Sequence, residues 1–140
     1  MNNPSASLAE LLPLMLEILQ SGGEFRLYPR GTSMLPLLRQ DVDSVILRTD
    51  DHIKKGDICL YKRNNGDFVL HRVVKAEPDG TFVFRGDNQT IAEPKIGKAQ
   101  IIAKVTCVMR GEKACKPATL WYRLTRLSAP ARALRFRSKK

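Results

Sequence analysis

Cysteine, acidic residues and long apolar runs are all scarce in this sequence. The cysteines, Cys59, Cys107 and Cys115, are odd in number and lack CxxC spacing, so we expect no disulfide framework, no zinc site, and thiols kept reduced in the cytoplasm. No cofactor is expected. The longest strictly apolar run, residues 11–16 (LLPLML), is far shorter than the roughly 20 residues that a bilayer requires. The N-terminus also lacks the pattern of a secretory signal, so we expect no membrane anchor.

The excess of basic residues is confined to the C-terminal segment. Residues 1–109 carry 14 basic and 13 acidic residues, whereas residues 110–140 carry ten basic residues and one acid, Glu112. A tail with a net charge of +9 can contact phosphates of nucleic acid or of lipid headgroups. A solvated, frayed terminus remains the alternative, and no specific nucleic acid is expected as a partner.

A chain of 140 residues has the size of one domain with a single core. An apolar stripe at helical spacing (Leu8, Leu11, Leu12, Met15, Leu19) predicts an N-terminal amphipathic helix over residues 1–23, used for core packing. Six apolar segments then predict strands: EFRLYP, DSVILR, GDICLYKR, DFVLHRVVKA, TFVFRGD and IIAKVTCVMR. The separators RNNGD and EPDG suit hairpins, and EPKIG is interpreted as a further turn. The prediction is a mainly β domain, barrel-like or sandwich-like, over residues 24–109.

The segment 110–140 contains a second amphipathic pattern, from about Pro117 onward. Its apolar face (Leu120, Trp121, Leu124, Leu127) is flanked by arginines. Such a helix can pack onto the sheet, or it can lie on an anionic membrane surface through residues 117–140. The second alternative would place a cytoplasmic protein at the inner face of the membrane.

The sequence GTSMLPLL predicts a constrained turn at Ser33. Gly31 permits unusual backbone angles before it and Pro36 fixes the chain after it. A serine held in this way, with its own N–H free to face an oxyanion, suits nucleophilic catalysis once a base removes its proton. A serine between glycine and proline is more commonly a turn residue.

A base and an acid follow in two later strands. Alternation in FVLHRVV places His71 on one face with Val69 and Val73, and burial would keep its imidazole neutral, as a general base requires. Asp87, in RGDN at the end of a strand, could orient that imidazole. Taken singly, His71 is more commonly a core histidine and Asp87 more commonly closes a turn. His52, in a polar turn, is expected at the surface.

Together and in this order, GTSMLPLL, KKGDICLYK, VLHRVV and FRGDN resemble the signal-peptidase and LexA-like superfamily of serine peptidases. The resemblance spans roughly residues 24–106. It implies an all-β signal-peptidase/LexA-like fold, a partly open barrel of coiled sheet, and a serine endopeptidase. Because His71-Arg72 stands where the general base is found, the resemblance is closer to the archaeal and endoplasmic-reticulum type than to the Lys-type bacterial enzymes.

The resemblance also implies roles for individual residues. Ser33 is the nucleophile of an S-M-x-P box with Met34 and Pro36, while Gly31 and Thr32 adjoin the oxyanion site and the substrate groove. His71 is the base, supported by Arg72, and Asp87 of the G-D-N box (Gly86, Asp87, Asn88) orients it. Asp41 and Asp43 are the alternatives for that orienting role. The implied partner is an extended leader or precursor peptide that adds as a strand at a sheet edge.

Two other functions stay open from the sequence. Gly31 stands where bacterial members often carry a hydroxyl that binds the oxyanion, so a weak or inactive peptide-binding module of the same fold is one alternative. The other is a LexA-like regulator with a nucleic-acid-binding tail. Only about 25 residues precede the strands, which is enough for one helix but not for a helix-turn-helix unit.

Overall fold

A computed structural model describes residues 8–28, 43–110 and 113–115. It contains one α-helix, α1 (Leu8–Gln20), and a short 3₁₀ turn (Lys98–Gln100). Its strands are β1 (Phe25–Leu27), β2 (Asp43–Arg48), β3 (Ile58–Lys62), β4 (Phe68–Ala76), β5 (Phe82–Arg85), β6 (Glu93–Ile96), β7 (Ile101–Arg110) and β8 (Lys113–Cys115). Within these ranges no helix is both long and apolar enough to cross a bilayer. The predicted C-terminal helix over residues 117–140 lies outside the described residues, as does Ser33.

The strands form one antiparallel sheet in the order β1-β2-β7-β3-β4-β5-β6, with β8 paired to β7. The prediction of a mainly β fold with an N-terminal helix is confirmed. Among the described strands the sheet ends at β1 and at β6, so it is not closed into a barrel. All six predicted strands are present.

Two short connections fix the register of the three strands around His71. In the turn between β3 and β4, the Arg63 N–H donates to the Asp67 carbonyl at 2.7 Å and Gly66 has a φ of +98°. The turn between β4 and β5 repeats this arrangement with Glu77, Thr81 and Gly80. Positive φ is readily adopted by glycine alone, so both glycines are set by the turn geometry. The two predicted hairpins are therefore confirmed.

The segment EPKIG was interpreted as a turn, and that interpretation is wrong. Residues 93–96 of it form β6, which pairs with β5. The strand was missed because it is short, contains Pro94, and has Lys95 at a φ of +64°. A proline without an N–H is tolerated only at a sheet edge or a bulge, and β6 is the last strand in the order.

Each side of the sheet has its own apolar core. The helix-side core is formed by Met15, Leu19, Val45, Leu47, Ile58, Leu60, Ala103, Val105 and Val108. The second core is formed by Cys59, Tyr61, Val69, Val73, Phe82, Phe84 and Ile96. Since alternate residues of β3 enter opposite cores, β3 is buried on both faces. Three residues of the predicted stripe contact the helix-side core: Met15 and Leu19 belong to it, and Leu12 packs against it.

The helix-side core predicts how two neighbouring residues of α1 differ. Met15 is fully buried, whereas Leu14 is 53% exposed on the same helix. We expect Met15→Ala to lower the free energy of unfolding by about 2–5 kcal/mol, because it removes apolar contacts and leaves a cavity. Leu14→Ala should change it by less than about 0.5 kcal/mol. Urea unfolding of both variants measures this, and equal losses would contradict the packing of α1 described here.

Candidate active site

His71 lies in the middle of β4, on the face that belongs to the second core. Val69 and Val73 on either side of it are members of that core, which confirms the predicted alternation. The residue is only 4% exposed. Burial, followed by the nearby charge of Arg63, lowers the pKa of His71 from 6.5 to about 4, while the carboxylates of Glu93 and Asp87 oppose that change. The imidazole is therefore neutral at pH 7.

Although it is buried, His71 reaches the wall of a cavity of about 580 Å³. Glu93 and Pro94 of β6, Phe84 of β5 and Arg63 share this wall with residues 88–92, the loop before β6. Ile91 of that loop is 78% exposed. Asn88, which the resemblance places in the G-D-N box, is therefore beside the same cavity as His71. The cavity thus combines a neutral imidazole with apolar and polar side chains.

Arg72 follows His71 in the chain but points to the opposite face of β4, where its neighbour Leu70 packs against the helix-side core. Its guanidinium is fully buried and donates from Nε and Nη2 to the two carboxylate oxygens of Asp87, both at 2.8 Å. Its Nη1 donates to the Gly56 carbonyl at 2.8 Å. A planar guanidinium that binds a carboxylate with two parallel bonds is geometrically specific. Arg72 therefore links β4 to the loop after β5.

The carboxylate of Asp87 is thus in direct contact with Arg72, and its charge acts on His71 from a greater distance. Gly86 precedes it in a turn that is closed by a 2.9 Å bond from the Gln89 N–H to the Gly86 carbonyl. The orientation of His71 by Asp87, which the resemblance implies, stays a prediction.

The two alternative orienting residues have different surroundings. Asp43 is fully buried on β2, with its carboxylate 3.6 Å from Arg110 Nη1. Because β7 and β3 separate β2 from β4, Asp43 is not a neighbour of His71. Asp41 lies outside the described residues.

The nucleophile and its surrounding box also lie outside the described residues. This applies to Gly31, Thr32, Ser33, Met34 and Pro36, so the contact between Ser33 and His71 stays a prediction.

No cluster of three or more metal-ligating side chains occurs in the part of the chain that the structure describes. Cys59 and Cys107 are free thiols, and burial raises the pKa of Cys59 to about 12.

The sequence analysis missed a chain of polar contacts beside the imidazole. Tyr61 of β3 has its hydroxyl 3.5 Å from His71 Nδ1 and donates to Glu93 Oε1 at 2.6 Å. Arg63 Nε donates to both oxygens of Glu93 at 3.1 Å. The sequence analysis predicted the strand and the hairpin that contain Tyr61, but it gave this residue no role. Glu93 was missed because β6 was interpreted as a turn.

The Arg72–Asp87 pair leads to a prediction about stability. Asp87→Asn preserves the shape but leaves a buried guanidinium without its counter-charge, so we expect a loss of about 3–5 kcal/mol in the free energy of unfolding. Glu24→Gln is the matched control, because the Arg48–Glu24 pair at 3.2 Å is about half exposed on both sides and such pairs contribute little. Urea unfolding at pH 7 compares them. Similar losses in both variants would contradict a buried, closely paired Arg72.

The lowered pKa of His71 predicts an acid-sensitive stability. The unfolded chain protonates this residue near pH 6.5, and the folded chain only near pH 4. The stability that neutral His71 provides is fully present above pH 6.5 and is lost as the pH falls toward 4. Between pH 7.5 and pH 5 this loss in the free energy of unfolding is about 2 kcal/mol. His71→Gln should remove this part of the pH dependence. His52→Gln, at a side chain that is 97% exposed, should leave the pH dependence of the stability unchanged. A His71→Gln variant with the pH profile of the parent would contradict the prediction.

Comparison with known proteins places these observations in a family. A model of the family described as Peptidase S24-like matches residues 4–106, most of the 140-residue chain. Neither the curated proteins nor the solved structures gave a match. The matched interval includes Ser33, His71 and Asp87. The resemblance to the superfamily is therefore confirmed, and the chain belongs to the Peptidase S24-like family.

Proposed function

We propose that the protein is a serine endopeptidase in which Ser33 is the nucleophile and His71 the general base. The observation that carries this proposal is a neutral imidazole at a cavity of about 580 Å³, in a chain whose family match also includes a constrained serine. A base must be unprotonated before it can accept the proton of a hydroxyl. At pH 7 His71 meets that requirement.

The reaction follows from the roles of the two residues. The Ser33 oxygen attacks the peptide carbonyl carbon while its proton moves to His71, and the Ser33 N–H donates to the oxyanion. The C–N bond then breaks, and His71 returns the proton to the departing amine. Water attacks the resulting ester with His71 again as the base, which releases the acid product and restores Ser33.

The substrate is proposed to be an extended leader or precursor peptide. The cavity beside His71 contains both the exposed Ile91 and polar side chains of the loop 88–92, so it can accept an apolar side chain and bind the peptide backbone. A membrane-surface location through residues 117–140 is part of the same proposal. It is supported by the charge and the apolar spacing of that segment.

Within the family, we propose a His-type site, similar to archaeal and endoplasmic-reticulum signal peptidases. The basis is the His71-Arg72 sequence at the position of the base and the buried Arg72–Asp87 pair after it. A LexA-like regulatory role is equally compatible with the family match. The basic tail is the feature of the sequence that favours it.

A peptide-binding module without catalysis is the second candidate. It is favoured by the pKa of His71, about 4, because a base with so low a pKa has little driving force for proton transfer. It is favoured also by the contact of Asp87 with Arg72. The two candidates differ in whether a peptide bond is broken.

The test of the peptidase proposal combines labelling with cleavage. A fluorophosphonate should label the wild-type protein, and mass spectrometry should detect cleavage within a mixture of unstructured peptides. Both signals should fall by at least about 10³-fold in Ser33→Ala and in His71→Gln, since removing a member of a Ser-His pair removes nucleophilic catalysis. Ser21→Ala, at an exposed serine at the end of α1, should retain both signals.

The outcomes separate the candidates. A folded wild-type protein that is neither labelled nor able to cleave the peptides, yet retains some of them on a column, would refute the peptidase and support the binding module. Cleavage that persists in Ser33→Ala would assign the chemistry to another residue.

A further inference from the structure

The face of the sheet that carries His71 brings a phenol and a carboxylate next to it. In the β3–β4 register Cys59 lies opposite His71 and Tyr61 lies opposite Val69, so Tyr61 and His71 are diagonal neighbours on one face. Their rings approach edge to face, with centroids 6.3 Å apart. The Tyr61 oxygen lies 3.5 Å from Nδ1, at the outer limit of a hydrogen bond.

The direction of the hydrogen bonds can be derived from the proton count. A phenol has one proton, and the 2.6 Å contact with Glu93 Oε1 uses it. Toward His71 the phenol oxygen can then only accept, so a hydrogen bond between the two requires that Nδ1 carries the ring proton. In a neutral imidazole that leaves the lone pair on Nε2. A hydrogen bond at this contact would therefore favour the tautomer whose Nε2 is the base.

Tyr61 and Glu93 are each held in place by a further contact. Arg63 binds the two oxygens of Glu93, as described above, and the Tyr61 ring stacks against Phe84 with centroids 4.4 Å apart. Burial and the neighbouring Glu93 raise the pKa of Tyr61, so the phenol keeps its proton across the working pH range. The phenol consequently stays an acceptor toward Nδ1 in the same conditions in which His71 is neutral.

We propose that Tyr61 and Glu93 are the positioning residues of His71: Tyr61 accepts a hydrogen bond from Nδ1–H, and Glu93 fixes Tyr61 and compensates the charge of the imidazolium. The catalytic consequence rests on the proposed peptidase function, whereas the choice of tautomer does not. Asp87, in contact with Arg72, is then a structural counterion that also contributes charge from a distance.

Among the residues that the structure describes, one positive and two negative side chains act on the pKa of His71. Arg63 disfavours the imidazolium, while Glu93 and Asp87 favour it. Glu93→Gln removes one favourable charge and leaves Arg63 without its partner, so the pKa of His71 should fall below that of the parent. The acid limb of a rate that requires neutral His71 should then move to lower pH.

The tautomer is measured by nitrogen-15 spectroscopy of the full chain. Histidine occurs only twice in the sequence, at His52 and His71, so a His52→Gln background gives the signals of His71 alone. At pH 7.5 we expect protonated Nδ1 and unprotonated Nε2. Tyr61→Phe, which keeps the ring on Phe84 but removes the acceptor, should shift the population toward protonated Nε2.

Two further variants act as controls for this measurement. Tyr28→Phe makes the same chemical change at a half-exposed tyrosine and should leave the tautomer unchanged. Asp87→Asn tests the competing assignment. If Asp87→Asn changes the tautomer of a folded protein while Tyr61→Phe does not, the proposal is overturned in favour of Asp87. A parent protein that already protonates Nε2 overturns it as well.

The catalytic consequence is measured as the rate of fluorophosphonate labelling of Ser33. Tyr61→Phe should slow labelling by between about tenfold and 10⁴-fold, the upper figure being the effect of losing a triad's orienting carboxylate. Glu93→Gln should slow it less and move its acid limb to lower pH. An unchanged rate in Tyr61→Phe would refute the positioning role. No labelling of the parent would refute the peptidase function alone, and the tautomer measurement would still decide the assignment of Nδ1.

Discussion

The bidentate pair between Arg72 and Asp87 is the interaction on which the arrangement of the site depends. A fully buried guanidinium is tolerated only with a closely placed counter-charge and further acceptors, and Arg72 finds them in Asp87 and the Gly56 carbonyl. These contacts fix the loop after β5 and the turn before β3 relative to β4. Arg72 and His71 are adjacent in β4, and their side chains lie on opposite faces. The contacts that fix Arg72 therefore also determine the position of His71.

That division of faces explains why neighbouring polar residues have different roles. On the helix side, Arg72 is enclosed and its charge is neutralised, which suits a structural element. On the other side, His71 borders a cavity and has a phenol as its neighbour. A neutral group needs no counterion when it is buried, so the strand can hold an imidazole there at a modest energetic cost. The strand thus separates a buried ion pair from a neutral imidazole at a cavity by a single peptide unit.

Much of this arrangement could be predicted from the sequence, and the parts that could not have identifiable causes. Six strands and two hairpins follow from apolar alternation and from the turn residues around Gly66 and Gly80. The face of His71 also follows from alternation. The short edge strand β6 does not, because Pro94 and a left-handed Lys95 have the composition of a turn. Glu93 was therefore assigned to a loop, and its contact with Tyr61 could not be anticipated.

The roles of Asp87 and Tyr61 illustrate a second limit. A motif can indicate that an acid is near a base, but it does not state which side chain the carboxylate contacts. His71 and Arg72 are adjacent in the sequence, and either could be the partner of Asp87. The acid pairs with the permanently charged guanidinium, because leaving that charge buried without a counter-charge is the more costly. The neutral imidazole is then left to a neutral partner. Only coordinates show that the partner is a phenol contributed by the next strand.

The pKa of His71 connects these points to chemistry. A value of about 4 keeps the imidazole neutral at pH 7, but the imidazolium that the proposed acyl transfer requires would be unstable in an apolar site. Any increase in negative potential when a substrate closes the site would raise that pKa toward the working pH. Among the described residues, two carboxylates can supply this potential. Glu93 contacts Tyr61, the neighbour of His71, and Asp87 is paired with Arg72. Of the two, Glu93 acts on the pKa of His71 more strongly than Asp87 does, so a contact of Glu93 with a bound peptide would have the larger effect on the proton transfer.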